Sequence, residues 1–169
     1  MTAKILQGDM RDRLAELPEQ SVHMCVTSPP YWSLRKYEGA QDVDWADGTR
    51  CALGQESTPE SYIAHLVECF QAVKRVLRDD GVLFVNIGDS QSRASGGDAG
   101  NKKNTGQESA RIGGAYDDES YIPPPGCKPK DRIGIPWMLA FAMRADGWYW
   151  GTASCGRKVQ AFVKVGAGA

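Results

Sequence analysis

Apolar residues recur every three or four positions across one long stretch of the chain, which predicts an amphipathic helix with a single buried stripe. The stripe consists of Ile63, Leu66, Val67, Phe70, Val73, Val76 and Leu77. Thr58 can cap this helix, with Pro59 at the first helical position, and residues 79–81 (Asp-Asp-Gly) are expected to end it. A second helix is predicted from Ile135 to about Asp146.

Short apolar runs predict strands at residues 4–8, 22–27 and 82–87, and a further strand that begins at Trp148. A short helix is predicted at residues 11–17, between the first two strands. Strands that alternate with helices are typical of α/β proteins with a parallel sheet. We therefore predict an α/β fold with a doubly wound parallel sheet, and we see no internal repeat.

Two stretches lack either periodicity. Residues 33–58 are rich in Gly, Asp and aromatic residues and are predicted to be irregular. In residues 89–130, Ser, Gly, Asn, Lys and Asp dominate, and a Pro-Pro-Pro-Gly sequence interrupts them. Because long loops of this composition are functional or disordered, we predict a mobile loop over residues 89–130.

The overall charge is not that of a chain that coats DNA electrostatically. The 169 residues include 20 basic and 21 acidic side chains, a formal net charge of -1, although local basic patches can still bind phosphates. No apolar run approaches the ~20 residues of a membrane span, and the first residues lack a signal-peptide pattern. We therefore expect a cytoplasmic protein.

The cysteines do not predict a metal centre. The chain contains Cys25, Cys51, Cys69, Cys127 and Cys155, with no C-x-x-C pair. The two histidines, His23 and His65, do not lie at ligand spacing from them, so we predict no zinc site. Cys25 and Cys69 fall on apolar faces and are expected to be small core residues.

The most informative sequence is Ser28-Pro29-Pro30-Tyr31, which directly follows the predicted strand 22–27. Two consecutive prolines end a strand, because neither can donate to a ladder and each restricts the residue before it. The carboxyl ends of strands in open α/β sheets are where ligands bind. Rigid acceptors beside an aromatic ring suit an extruded nucleobase; the alternative is an ordinary Pro-Pro turn.

The S-P-P-Y sequence resembles the catalytic motif of the amino-directed DNA methyltransferases. Segments in the family's order resemble it as well, namely residues 5–9, 14–18, 32–37, 81–90, 128–137 and 146–149. The resemblance covers roughly residues 4–150 and has the permuted motif order. It implies a sheet of the S-adenosylmethionine-dependent methyltransferase type, and site-specific methyl transfer from that cofactor to N4 of cytosine or N6 of adenine in double-stranded DNA.

The resemblance also implies roles for individual residues. The Ser28 side chain and the Pro29 carbonyl would accept hydrogen bonds from the target amine, Pro30 would stiffen the turn, and Tyr31 would stack on the flipped base. A serine at position 28 favours cytosine over adenine in this family, where Asp is commoner in adenine enzymes. Relatives that methylate RNA or protein amides typically show Asn there. We expect Trp32 to be a packing residue.

Two acidic residues at predicted strand ends have two interpretations each. Asp9 can cap the helix that begins near Arg11, and the resemblance implies that it accepts from the adenine amine of the cofactor. Asp89 can line the target pocket or cap the following loop. We further expect Trp137, at the start of the second long helix, to lie in the core.

Six basic residues are candidates for contacts to DNA phosphates: Lys102, Lys103, Arg111, Lys128, Lys130 and Arg132. The alternative for each is a solvated charge on a loop.

The resemblance stops near residue 150. Relatives continue with a target-recognition region and a glycine-rich F-x-G-x-G turn that holds the cofactor, whereas residues 151–169 form an atypical tail. We hypothesise a frameshift near residue 150 with truncation; a natural split enzyme and a fragment are the alternatives. A truncated, non-catalytic remnant is accordingly the second functional interpretation. Its partner would be a missing C-terminal half, and we expect self-association.

Overall fold

The computed structural model describes residues 3–33, 39–92, 123–153 and 159–164. Its helices are α1 (Met10–Ala15), α2 (Pro59–Val76) and α3 (Ile135–Ala145). Its strands are β1 (Val22–Thr27), β2 (Val43–Asp44), β3 (Arg50–Cys51), β4 (Leu77–Asn86), β5 (Tyr149–Ala153) and β6 (Val159–Val163).

Four strands form one sheet in the order β1-β4-β6-β5. β1 and β4 are parallel, and β6 is antiparallel to both of its neighbours. The α/β class is therefore confirmed, with one antiparallel strand inserted into the sheet. β2 and β3 form a separate two-stranded antiparallel ladder within the region predicted to be irregular.

The hydrophobic core lies on one face of the sheet. It joins the apolar stripe of α2 to α3 and to the inward side chains of the strands, and includes Leu66, Phe70, Leu83, Val85, Leu139, Met143, Trp148 and Phe162. On the opposite face, Met24 is 57% exposed and Val26 is 68% exposed. Met24 pairs with Val82 across the ladder, and both belong to this open face.

The helix starts follow the predicted capping chemistry. The Thr58 hydroxyl accepts a hydrogen bond from the Ser61 amide at 3.1 Å, and Pro59 occupies the first turn. The helix ends at Val76, earlier than the predicted stop at residues 79–81, because Leu77 already pairs with Val22 in the sheet.

Several expectations were wrong. Residues 4–8 form no strand, since no described segment pairs with them, and Ile5 is 93% exposed. Trp137 is 56% exposed rather than buried, because it falls off the α3 stripe that buries Leu139 and Met143. The tail contributes β6, which was not predicted.

The predicted core cysteines differ in burial. Cys69 is buried, and desolvation raises the pKa of its thiol to about 12, whereas Cys25 is half-buried. Cys155 and most of the predicted mobile loop lie outside the described residues. None of the described helices is long and apolar enough to cross a membrane.

Candidate active site

The turn of residues 28–31 directly follows β1 at the sheet edge where β1 and β4 both end. Ser28 is exposed and Pro29 is buried. The Pro30 carbonyl accepts a hydrogen bond from the Tyr62 hydroxyl of α2 at 2.6 Å. The prolines and this bond fix the turn, so that Ser28 is presented at the edge where open α/β sheets bind ligands.

Trp32 and Ser33, directly after the turn, form hydrogen bonds to the loop that contains Gly54 and Glu56 and to Ser90, which lies beyond β4. The Trp32 indole donates to the Glu56 carbonyl at 2.9 Å, and the Trp32 carbonyl accepts from the Ser90 hydroxyl at 2.9 Å. The Ser33 amide donates to the Gly54 carbonyl at 2.9 Å. Trp32 is buried, which confirms that it is a packing residue.

The Tyr31 ring lies against Gly88, which follows β4. A Cβ atom on Gly88 would come within 2.7 Å of the ring, so only glycine admits the ring at this position. On the other side, Gly54 has a φ of +90°, and a Cβ there would lie 3.2 Å from the Tyr31 carbonyl oxygen. Two glycines therefore shape the space around the predicted stacking residue.

Asp9 is the N-cap of α1. Its Oδ1 accepts from the Arg11 amide at 2.8 Å, and its Oδ2 forms an ion pair with the Arg11 guanidinium at 3.0 Å. These hydrogen bonds hold the pKa of the Asp9 carboxyl below its usual value. The capping interpretation is confirmed, although Asp9 follows a segment that is not a strand; the cofactor contact stays a prediction.

Asp89 caps the start of the loop that follows it and also the start of a helix. Its Oδ1 accepts three amide hydrogen bonds, from Ser90 at 2.9 Å, Gly134 at 2.8 Å and Ile135 at 3.0 Å. This links the end of β4 to the start of α3, whose own N-cap, Gly134, has no side chain to cap with. Within the described residues, the buried Oδ2 has no partner, which leaves an acceptor at the same sheet edge.

The predicted phosphate contacts divide into two groups. Lys102, Lys103 and Arg111 lie outside the described residues. Lys128, Lys130 and Arg132 are exposed on a segment whose backbone pairs with residues 90–92. That pairing involves Lys130 and Arg132, and it places them near Ser90, whose hydroxyl donates to the Trp32 carbonyl.

Sequence reasoning missed a polar cluster that supports the turn. His65 of α2 approaches Glu56 through Nδ1 at 3.0 Å and Asp47 through Nε2 at 3.2 Å. The Glu56 carboxylate also accepts from the Gly54 amide at 2.8 Å. The only signal in the sequence was a histidine between apolar positions of a helix, and histidine is a residue type of intermediate burial.

An α/β sheet with an S-P-P-Y turn at its carboxyl edge has the architecture of an amino-directed DNA methyltransferase, and known proteins agree. A family model described as DNA methylase, of the N6/N4 type, matches residues 22–146. The chain is 41% identical over 150 residues to the type II methyltransferase M.SmaI of Serratia marcescens, and 44% identical over 148 residues to M.Cfr9I of Citrobacter freundii. The chain belongs to the N6/N4 DNA methylase family.

The same comparisons define how much of a relative the chain represents. The alignments cover 88% and 87% of this chain but 45% and 43% of the two relatives, so the chain spans less than half of their length. A putative DNA modification methylase from Thermus thermophilus, solved in complex with S-adenosyl-L-methionine, superimposes with a TM-score of 0.51 at 21% identity. The superposition covers 95% of this chain and 54% of that protein, and supports the fold.

Proposed function

We propose that the chain carries the target-binding part of a site-specific DNA methyltransferase. The reaction moves a methyl group from S-adenosylmethionine to an exocyclic amine of double-stranded DNA, with N4 of cytosine preferred over N6 of adenine. The supporting observation is the rigid turn of residues 28–31, which presents Ser28 at the shared carboxyl edge of β1 and β4. A cytoplasmic location remains a prediction.

The target amine is a poor nucleophile, because its lone pair is delocalised into the ring of the base. When bound, S-adenosylmethionine supplies an electrophilic methyl group on a sulfonium. Ser28 and the Pro29 carbonyl would accept hydrogen bonds from the amine, hold it in line and stabilise the positive charge that develops on nitrogen. Tyr31 would stack on a base flipped out of the duplex. As the new N–C bond forms, the S–C bond of the sulfonium would break and leave a neutral thioether, and the methylated amine would lose its proton to solvent.

Asp9 is the residue that we propose to contact the adenine amine of the cofactor. Its carboxylate is partly exposed and already accepts from Arg11, yet two carboxylate oxygens offer about four acceptor positions in all. An adenine amine can use one that remains. We propose Lys128, Lys130 and Arg132, with Lys102, Lys103 and Arg111, as contacts to DNA phosphates, since the first three are exposed on a segment that pairs with residues 90–92 after β4.

The experiment is calorimetric titration of S-adenosylmethionine into the purified chain, followed by methyl transfer to unmethylated DNA. Mass spectrometry of the hydrolysed product separates N4-methylcytosine from N6-methyladenine. Ser28→Ala should lower the transfer rate about 100-fold, as loss of one aimed hydrogen-bonding group does elsewhere, and leave cofactor binding unchanged. Ser57→Ala, an exposed serine beyond the turn, is the matched control.

Asp9 needs a variant that separates its two roles. Asp9→Asn keeps a good N-cap but replaces an acceptor with an amide donor, so it should weaken cofactor binding without unfolding α1. Equal affinities for both proteins would remove Asp9 from the cofactor site. Methylation products that contain only N6-methyladenine would overturn the cytosine preference.

A second candidate function is that of an inactive part that acts only with another polypeptide. The open sheet face, where Met24 and Val26 are exposed, favours it, because large exposed apolar patches mark sites of association. Here no cofactor binding is expected from the chain alone. Addition of the separately expressed remainder of a relative should restore binding, and failure of that mixture would count against this candidate.

A further inference from the structure

Three side chains of different metal-binding chemistry converge behind the turn of residues 28–31. Cys51 ends β3, Glu56 lies in the loop that follows, and His65 is on α2. A sulfur, a carboxylate oxygen and a ring nitrogen from these residues all lie within 4.8 Å of one another. Sulfur, nitrogen and oxygen ligands in one cluster are the set that zinc accepts.

Neighbouring groups hold these ligands in place. The Trp45 ring stacks on His65 at a centroid distance of 4.1 Å and an interplanar angle of 5°. The Trp45 indole also donates to the Cys51 carbonyl at 3.0 Å, so one side chain positions two of the three ligands. Asp47 reaches His65 Nε2 at 3.2 Å, which is the carboxylate partner that metal-binding histidines usually have.

The charge balance of the cluster also favours a cation. The side chain of Glu56 is fully buried, and within the described residues its ion-pair partner is His65, with no lysine or arginine at that distance. A buried carboxylate needs compensation, and a divalent ion next to it would supply two positive charges, whereas an imidazole supplies at most one. Against this, burial and the Glu56 charge raise the pKa of the Cys51 thiol, so the ion must displace its proton.

We propose that Cys51, Glu56 and His65 bind a zinc ion, with Asp47 as hydrogen-bond acceptor for the imidazole and water as the fourth ligand. The ion would replace the present contact between His65 and Glu56, and the ligand atoms would close to separations of about 3–4 Å, as bonds of about 2.0–2.3 Å require. The site ties β3, the following loop and α2 together. This proposal replaces the prediction of no zinc site. The three residues are not at ligand spacing along the sequence, but the fold brings their side chains close together.

The test is titration of zinc alone into the metal-free full chain by calorimetry, with cobalt as a spectroscopic substitute. We expect one ion per chain, a higher melting temperature with zinc, and a sulfur-to-cobalt charge-transfer band. Cys51→Ser should abolish that band and weaken zinc binding at least about tenfold. Cys127→Ser removes a half-buried cysteine outside the cluster and should change neither property.

Glu56→Gln provides a second, independent variant that keeps every thiol, with circular dichroism to check the fold of each protein. It should weaken zinc binding about tenfold or more and retain the charge-transfer band at saturating cobalt. Absence of zinc binding to the unmodified chain would overturn the proposal. So would binding that is equally tight in Cys51→Ser, Glu56→Gln and Cys127→Ser, since the ion would then lie elsewhere.

Discussion

On one face of the sheet, Leu83 and Val85 are completely buried beneath the helices, whereas on the other face Met24 and Val26 remain mostly exposed. The turn of residues 28–31 depends on the packed face, because Tyr62 of α2 donates to the Pro30 carbonyl. The turn that carries the groups proposed to hold the target amine is thus held in part by a helix on the packed face.

The difference in burial between the two faces of the sheet indicates that they have different roles. The packed face stabilises the fold and fixes the turn through buried contacts. The open face presents adjacent apolar side chains on paired strands, such as Met24 opposite Val82, without a covering layer among the described residues. Because large exposed apolar patches mark interaction sites, we predict association through this face.

The largest expected effect compares the same substitution on the two faces. Val85→Ala should lower the free energy of unfolding by about 2 kcal/mol, because it removes two buried methyl groups and leaves a cavity. Val26→Ala should change it by less than about 0.5 kcal/mol, because its side chain is 68% exposed. Urea denaturation of both variants measures the difference. Equal losses would mean that the open face is covered in solution.

The next prediction concerns association through the open face. Val26→Lys places a charge on it and should weaken self-association about tenfold, which corresponds to about 1.4 kcal/mol. Sedimentation velocity over a range of concentrations measures this. Ala64→Lys adds the same charge on the exposed side of α2 and should leave association unchanged. A chain that stays monomeric without any substitution would contradict the premise.

The elements that could be predicted from sequence are those with strong local signals. β1 ends at Thr27, shortly before the two prolines, and α2 begins at Pro59 directly after its threonine cap. β6 could not be predicted, because residues 159–163 form a strand only through pairing with β4 and β5. The strand predicted at residues 4–8 was wrong for the converse reason. This apolar run has no pairing partner among the described residues, and propensity alone does not make a strand.

In the candidate site too, some residues could be predicted from the sequence and others could not. The residues 28–31 are contiguous, so their chemistry could be read directly from the sequence. The groups that hold them could not, because Glu56 lies 24 positions from Trp32, and Tyr62 lies 32 positions from Pro30. The fold alone brings such residues together, and the cluster around His65 was missed for this reason.

A smaller effect should follow from removal of one contact between the packed face and the turn. Tyr62→Phe deletes the hydroxyl that donates to the Pro30 carbonyl and should cost about 1 kcal/mol of stability. It should also loosen the turn, visible as faster amide hydrogen exchange near Tyr31. Tyr149→Phe, on the exposed start of β5, is the matched control and should change neither quantity. Unchanged exchange near Tyr31 would show that the prolines alone fix the turn.

The smallest effect is expected at Asp9, where the Arg11 contacts lower the pKa of the carboxyl. A lowered pKa in the folded state adds stability above the unfolded value of 3.8, and this is lost as the pH falls through the folded value. Asp9→Asn keeps the cap but loses the ion pair, so at pH 7 it should cost less than about 1 kcal/mol, as partly exposed pairs do.

The difference between unmodified chain and Asp9→Asn should therefore shrink below about pH 4 and disappear as the carboxyl becomes protonated. Thermal unfolding from pH 7 to pH 2 measures it. Asp12→Asn, on the exposed side of the same first turn, leaves the Asp9 contacts in place and should preserve the acid-dependent loss. The contrary result is a stability difference between Asp9→Asn and the unmodified chain that persists undiminished at pH 2. That result would mean that the difference arises because asparagine is a poorer cap here, and that loss of the ion pair does not cause it.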